Sequence, residues 1–152
     1  ASIYLDIVGN CTEPAYVEEI KQRISASEYA DRIMMHPACS HDRLKEHLVD
    51  KHFYIFPTTE PREGHSNALT EAMAWGLIPV ATDMGFNRTI VGEDMLIVKQ
   101  LSPKVFASVV TNIIDNGIIP ELSKNAYNRI QNNYTEDIVY NRLKEEYNAL
   151  LR

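Results

Sequence analysis

The chain has 152 residues, 45% of them hydrophobic, enough apolar surface to build one compact domain. Its 15 basic and 21 acidic residues leave a net charge of -6, the wrong sign for a nucleic-acid groove or for a patch that grips anionic lipid. No apolar run is long enough to span a bilayer, and the opening ASIYLDIVGN lacks the basic start and cleavage site of a secretory leader, so a cytoplasmic protein is expected.

Short β-rich runs alternate with helical ones along the chain. IYLDIV (residues 3–8) reads as a strand stopped by Gly9, and an amphipathic helix follows from about Glu13 to Ser25. RIMMH is a short strand, and HDRLKEHLV a helix with Asp42 near its start. FYIFP is an apolar strand ended by Pro57, of the kind buried on both faces. LIPVAT (77–82) is a further buried strand and MLIV (95–98) a shorter one. Pro103 after Ser102 opens a helix, Gly117 and Pro120 separate it from the next, and Thr135 is placed to cap a last one. This alternation predicts an α/β fold: a Rossmann-like, three-layer arrangement with a parallel sheet, right-handed crossovers and helices gathered at the C-terminus. No repeat, low-complexity tract or linker divides it, so residues 1–152 are expected to form a single domain. Because the chain begins directly on a strand, a preceding segment is expected to be missing.

Two cysteines, Cys11 and Cys39, in a domain of this size read as free thiols. HPACSH groups His36, Cys39 and His41, but with no second cluster to close a tetrahedral site the spacing favours a polar loop over a metal centre.

The chemistry concentrates in REGHSNALTEAMAWG (62–76). In an open parallel sheet, ligands bind beyond the carboxyl ends of the strands, where loops lead into helix N-termini. A helix starting near Ser66 or Asn67 presents unpaired amides and a partial positive charge, suited to phosphate or to electron-rich sugar oxygens. Gly64 lets a ligand approach the backbone. Glu63 lies in the loop and Glu71 about a turn into the helix, so both can face one crevice from different heights. A carboxylate accepts two hydrogen bonds and holds a vicinal diol such as the ribose 2′,3′ pair. On the residues alone, the reading of Glu63 as a loop charge and Glu71 as a polar helix position stands level with this one.

FYIFPTTEPREGHSNALTEAMAWGLIPVATDMG (53–85) resembles the retaining GT-B glycosyltransferases of family 4, glycosyl transferases group 1, in their C-terminal, donor-binding domain. The likeness combines a strand ending in Pro-Thr, Glu-Gly, Glu-Ala-Met-Ala, a second strand and a glycine loop, and the tail NYTEDIVYNRLKEEYNALL is similar to the family's closing helix. The resemblance implies one half of a GT-B enzyme that binds a nucleoside-diphosphate sugar and, with an N-terminal acceptor domain absent here, transfers the sugar with retention to an acceptor hydroxyl. It implies a hexosyltransferase-type activity, independent of metal and of any further cofactor, in polysaccharide, lipopolysaccharide or glycolipid synthesis. Peripheral association of the longer enzyme with the inner face of the membrane fits such a role, and the fragment alone is expected to be inactive. Carried over, the likeness makes Glu63 the catalytic residue that contacts the donor sugar and Glu71 the ribose ligand. Gly64, His65, Ser66 and Asn67 would line sugar and diphosphate, the loop around Met35, His36 and Ala38 would meet the base, and Gly9, where the family has a Val-Gly-Asp or Val-Gly-Asn segment, would also line the substrate. For His36 a satisfied structural histidine is an equal alternative. Phe86 and Thr89 stand where the family carries a glycine and a glutamate, and the family's diphosphate-clamping Arg/Lys pair precedes the first strand and is absent; Arg62 and Arg88 are candidate substitutes, with plain surface arginines the simpler account. A nucleotide-sugar epimerase of the same architecture and a non-catalytic nucleotide-binding module are the alternative readings. GHSNA is no nucleophile elbow: Ala68 replaces the second glycine and the loop after Pro57 is too long. FYIFPTT also lacks the strand-end aspartate of a receiver-type module.

Overall fold

The computed structural model describes residues 2–151. The chain divides between Val49 and Asp50 into two compact units. Asp50 itself turns with φ 63°, a left-handed conformation that Asp tolerates better than most residues.

The first unit holds β1 (Leu5–Val8), α1 (Pro14–Ser25), β2 (Ile33–His36) and α2 (His41–Leu48). Pro14 at the first helical position starts α1, where its missing N–H costs nothing. β1 and β2 pair in parallel, Leu5 opposite Ile33 and Val8 opposite His36. Both cysteines are free thiols.

The second unit begins with β3 (Phe53–Phe56), α3 (Asn67–Ala74) and β4 (Ile78–Thr82). A short α4 (Asn87–Val91) leads to β5 (Ile97–Val98), and then come α5 (Pro103–Asp115), α6 (Ile119–Asn133) and α7 (Glu136–Leu150). Its sheet runs β3-β4-β5, all parallel, with Phe53 opposite Ile78 and Ala81 opposite Ile97. The α/β class read from the alternation is thus present, but hydrogen bonding forms two parallel sheets, β1-β2 and β3-β4-β5. Periodicity marks strands; it does not say which strands pair.

β4, in the middle, is buried along its whole length. β3 is not the fully buried strand its apolar run predicts: Ile55 is 37% exposed, because β3 forms one edge of this sheet. Leu69 and Met73 of α3 and Leu122, Ala126 and Ile130 of α6 close over Ile78, Ala81 and Ile97, the α6 residues falling at successive i+4 positions on one stripe. A second cluster joins Val80 and Val98 to Phe106 of α5. The last helix is present over Glu136–Leu150, with Thr135 at its N-cap position in extended conformation but with no side-chain cap bond. None of its residues is buried, and Val139, Leu143, Tyr147 and Leu150 lie exposed. Among the described residues, no helix is long and apolar enough to cross a membrane.

Candidate functional site

The loop between β3 and α3 is folded by its own polar groups. The Thr58 hydroxyl accepts from the Glu60 amide at 3.2 Å, a Glu60 carboxylate oxygen accepts from the Arg62 amide at 3.0 Å, and the Glu63 amide donates to the Glu60 carbonyl at 3.1 Å. These local bonds turn the chain before Glu63, as Thr and acidic side chains commonly do. α3 then starts where expected: Ser66, 6% exposed, caps it by accepting from the Leu69 amide at 3.4 Å.

Glu63 is half-buried, and its main chain is gripped from the loop after β4. The Phe86 amide donates to the Glu63 carbonyl at 3.3 Å. Gly85 lies so close to that carbonyl that an added Cβ would overlap it, and φ +50° already places Gly85 in the left-handed region. The turn that makes this contact is braced on all sides. Arg88 forks onto Asp83, Nε to Oδ1 at 3.1 Å and Nη2 to Oδ2 at 2.7 Å, and also pairs with Asp94. Asn87 is wholly buried and its Nδ2 donates to the Thr82 carbonyl at 3.1 Å, while the Thr82 hydroxyl donates to the Thr58 carbonyl at 2.6 Å. A relay of two side chains therefore ties the end of β3 to the end of β4 and to the start of α4. The pairing with Arg88 holds the Asp83 carboxyl below its ordinary range.

Gly64 is exposed, and an added Cβ there would meet no atom within 4 Å. Neither packing nor a positive φ requires glycine at this position, unlike at Gly85. Glu71 is half-buried in α3 and its charge bears on the Tyr54 phenol of β3, whose pKa is raised first by burial and then by Glu71. His65 is exposed and packs its ring against Tyr134, centroids 5.0 Å apart. The Tyr134 hydroxyl donates to the Thr89 carbonyl at 3.1 Å, and Arg129 Nε donates to the Ile90 carbonyl at 2.5 Å, so α6 caps the carbonyl end of α4.

Glu63, Gly64, His65, Ser66 and Asn67 thus lie together in one loop and helix start beyond the carboxyl end of β3, with Glu71 further along α3. The other predicted ligand residues belong to the first unit. Gly9 follows β1 and donates its amide to the His36 carbonyl at 3.2 Å; Met35 is exposed on β2, and Ala38 lies exposed in the loop after it. His36 closes β2 rather than lying in a loop, with Nε2 2.6 Å from Asp6 Oδ1 and its ring 4.8 Å from that of His47. Both partners belong to the first unit. Among the described residues, no three His, Cys, Asp or Glu group to hold a metal ion. Two clefts of the second unit, of about 270 and 560 Å³, are lined by residues such as Asn125 and Arg129, and Trp75 and Tyr127, and contain none of the predicted ligand residues.

The family described as Glycosyl transferases group 1 matches residues 1–135. The chain belongs to this family. Relatives of this group 1 chain include a phosphatidylinositol N-acetylglucosaminyltransferase subunit from Arabidopsis thaliana, 26% identical over 137 residues, a match that takes in 90% of this chain and 29% of the relative. The chain therefore spans less than a third of that protein. Solved structures share its fold. Sucrose-phosphate synthase from Thermosynechococcus elongatus superposes with TM-score 0.76 at 19% identity, over 96% of this chain and 38% of that one. A glycosyltransferase from Rickettsia africae ESF-5 gives 0.75 at 15% identity, over 99% and 41%. The catalytic domain of cholesterol-alpha-glucosyltransferase from Helicobacter pylori gives 0.64 at 15% identity, over 89% and 100%.

Proposed function

We propose that this chain is the donor-binding half of a glycosyltransferase, holding a nucleoside-diphosphate sugar while the sugar passes, with retention, to an acceptor hydroxyl. The observation that carries the reading is the pair of half-buried glutamates, Glu63 just before α3 and Glu71 within it, beside a glycine, Gly64, that the fold itself does not require. Glu63 orients the hydroxyls of the transferred sugar and is not a covalent nucleophile. Glu71 accepts from the ribose diol. The diphosphate lies over Gly64, His65, Ser66 and Asn67, where the first-turn amides and the helix dipole favour the negative charge that grows as the leaving group departs. Positioning supplies much of the rate, and the chemistry uses neither a metal nor a further cofactor.

Neither Arg88 nor Arg62 is placed to neutralise the diphosphate. Arg88 is committed to Asp83 and Asp94, and Arg62 is 92% exposed and 3.5 Å from Glu60. The acceptor, and a general base if one is used, belong to a further domain of the longer protein, so the chain alone binds donor without turning it over. A relative is named for phosphatidylinositol and a structural neighbour for cholesterol, and we take these names as support for a lipid acceptor and hexosyl transfer.

Titration calorimetry of the 152-residue chain with UDP, GDP, UDP-glucose and GDP-mannose tests the reading, comparing wild type with Glu71→Ala. Loss of a charged hydrogen-bond acceptor to the ribose is expected to weaken nucleotide binding by about tenfold or more. Equal affinity in the two proteins removes the ribose role from Glu71.

A further inference from the structure

Phe86 is 59% exposed, an aromatic side chain left in solvent on the turn whose main chain meets that of Glu63. A single exposed apolar residue ordinarily asks for no explanation. Two observations set this one apart. Its own amide donates to the Glu63 carbonyl at 3.3 Å, so Phe86 and Glu63 are neighbours through their main chains, and the absence of a Cβ at Gly85 is what lets the two loops come this close. The turn carrying it is also rigid: Arg88 forks onto Asp83, and the buried Asn87 amide is anchored on the Thr82 carbonyl. An aromatic side chain presented on a braced turn is preorganised, which lowers the ordering cost of anything that settles on it.

We propose that Phe86 is a specificity-determining residue whose ring forms the apolar wall against which the donor's hexopyranose ring rests. The inference depends on the donor role proposed for Glu63. A hexopyranose has two kinds of surface, an equator of hydroxyls and a face of C–H groups. A carboxylate suits the first and an aromatic ring the second, the usual mixture in small-molecule sites of apolar walls with a few placed polar groups. Nucleotide and diphosphate have no part in that contact, so Phe86 senses the sugar alone.

The test measures the affinities of UDP, UDP-glucose, GDP and GDP-mannose for the 152-residue chain in wild type, Phe86→Ala and Phe86→Tyr. Phe86→Ala is expected to weaken at least one nucleotide sugar by about tenfold while leaving its parent nucleoside diphosphate within about twofold, and Phe86→Tyr, which keeps the ring, to restore the sugar complex. Because the residue is exposed, both variants are expected to unfold as wild type does, and a matching urea midpoint checks this. Unchanged nucleotide-sugar affinity in Phe86→Ala, or an equal loss for diphosphate and nucleotide sugar, overturns the wall while leaving the donor site standing. Failure of wild type to bind any of the four probes sinks the donor site and the wall together.

Discussion

Replacing Gly85 by alanine attacks the joint between the two loops of the site. The φ of +50° costs an alanine about 1–2 kcal/mol relative to ordinary backbone. The new methyl would also overlap the Glu63 carbonyl, a main-chain group with no rotamer to swing away, so Glu63 and the Gly85 turn must part. Parting them gives up the 3.3 Å bond from the Phe86 amide, worth about 1 kcal/mol. Together these amount to roughly 2–3 kcal/mol, or about 6–9 °C in Tm for a chain of this length. The assay is urea and thermal unfolding of Gly85→Ala beside Gly64→Ala. At Gly64 an added Cβ meets open space, so that variant is expected to equal or slightly exceed wild type in stability, while losing nucleotide affinity because the methyl occupies the ligand's approach. A Gly85→Ala protein within about 0.5 kcal/mol of wild type would refute the reasoning, since that is the scatter of inconsequential surface changes.

Leu69→Ala removes a side chain with no exposure from beneath α3 and is expected to cost about 3–4 kcal/mol in urea denaturation; a cost below about 2 would mean the core closes over the gap. Thr82→Val deletes the hydroxyl that donates to the Thr58 carbonyl, with an expected loss of about 1–2 kcal/mol and faster amide exchange in the 57–66 loop, and an unchanged exchange pattern there counts against the relay. Tyr54 is expected to ionise above the ordinary tyrosine range, so its contribution to stability is complete below that range and is lost as pH rises through the raised value. Glu71→Gln should bring the phenol only part of the way back, because burial is the larger cause, and an absorbance titration that Glu71→Gln leaves unmoved would show the two side chains to be independent. The Asp83 carboxyl, depressed by Arg88, contributes above the ordinary aspartate range and stops contributing as acid carries the pH down through its lowered value. Arg88→Met should therefore flatten that part of the acid-unfolding curve, and identical curves would show the pair to be inert.

Elements with strong local signals were legible. Pro14 and Pro103 mark the starts of α1 and α5, and Ser66 caps α3 where the residue pattern places it. What stayed hidden depends on distant partners. α4 is five residues long, too short for a helical period to emerge from Asn87–Val91, and the first half of MLIV is spent in a single 3-10 turn, leaving Ile97–Val98 as strand. The candidate site shows the same division. Glu63, Gly64 and Glu71 stand out through the resemblance of 53–85 to the family's motif, since their spacing alone leaves a plain surface reading equally good. Gly85, Asn87 and Thr82 hold Glu63 in place across more than fifteen positions of sequence, and no local pattern marks an asparagine as wholly buried.

Burial is spread unevenly between the two units. Among the described residues, the only buried hydrophobic before Asp50 is Leu48; all the others follow it, from Leu69 of α3 to Ile130 of α6. Opening free energy follows such depth, so amide protons on β1 and β2 should trade with deuterium through small, frequent excursions, while those of β4 wait for nearly complete unfolding. Gly9, Met35 and His36 are consequently carried on a compliant frame, and Glu63 and Glu71 on a stiff one. Large-to-small changes in the first unit should therefore cost little global stability, whereas the same changes at Leu69 or Met73 beneath α3 put the whole fold at stake.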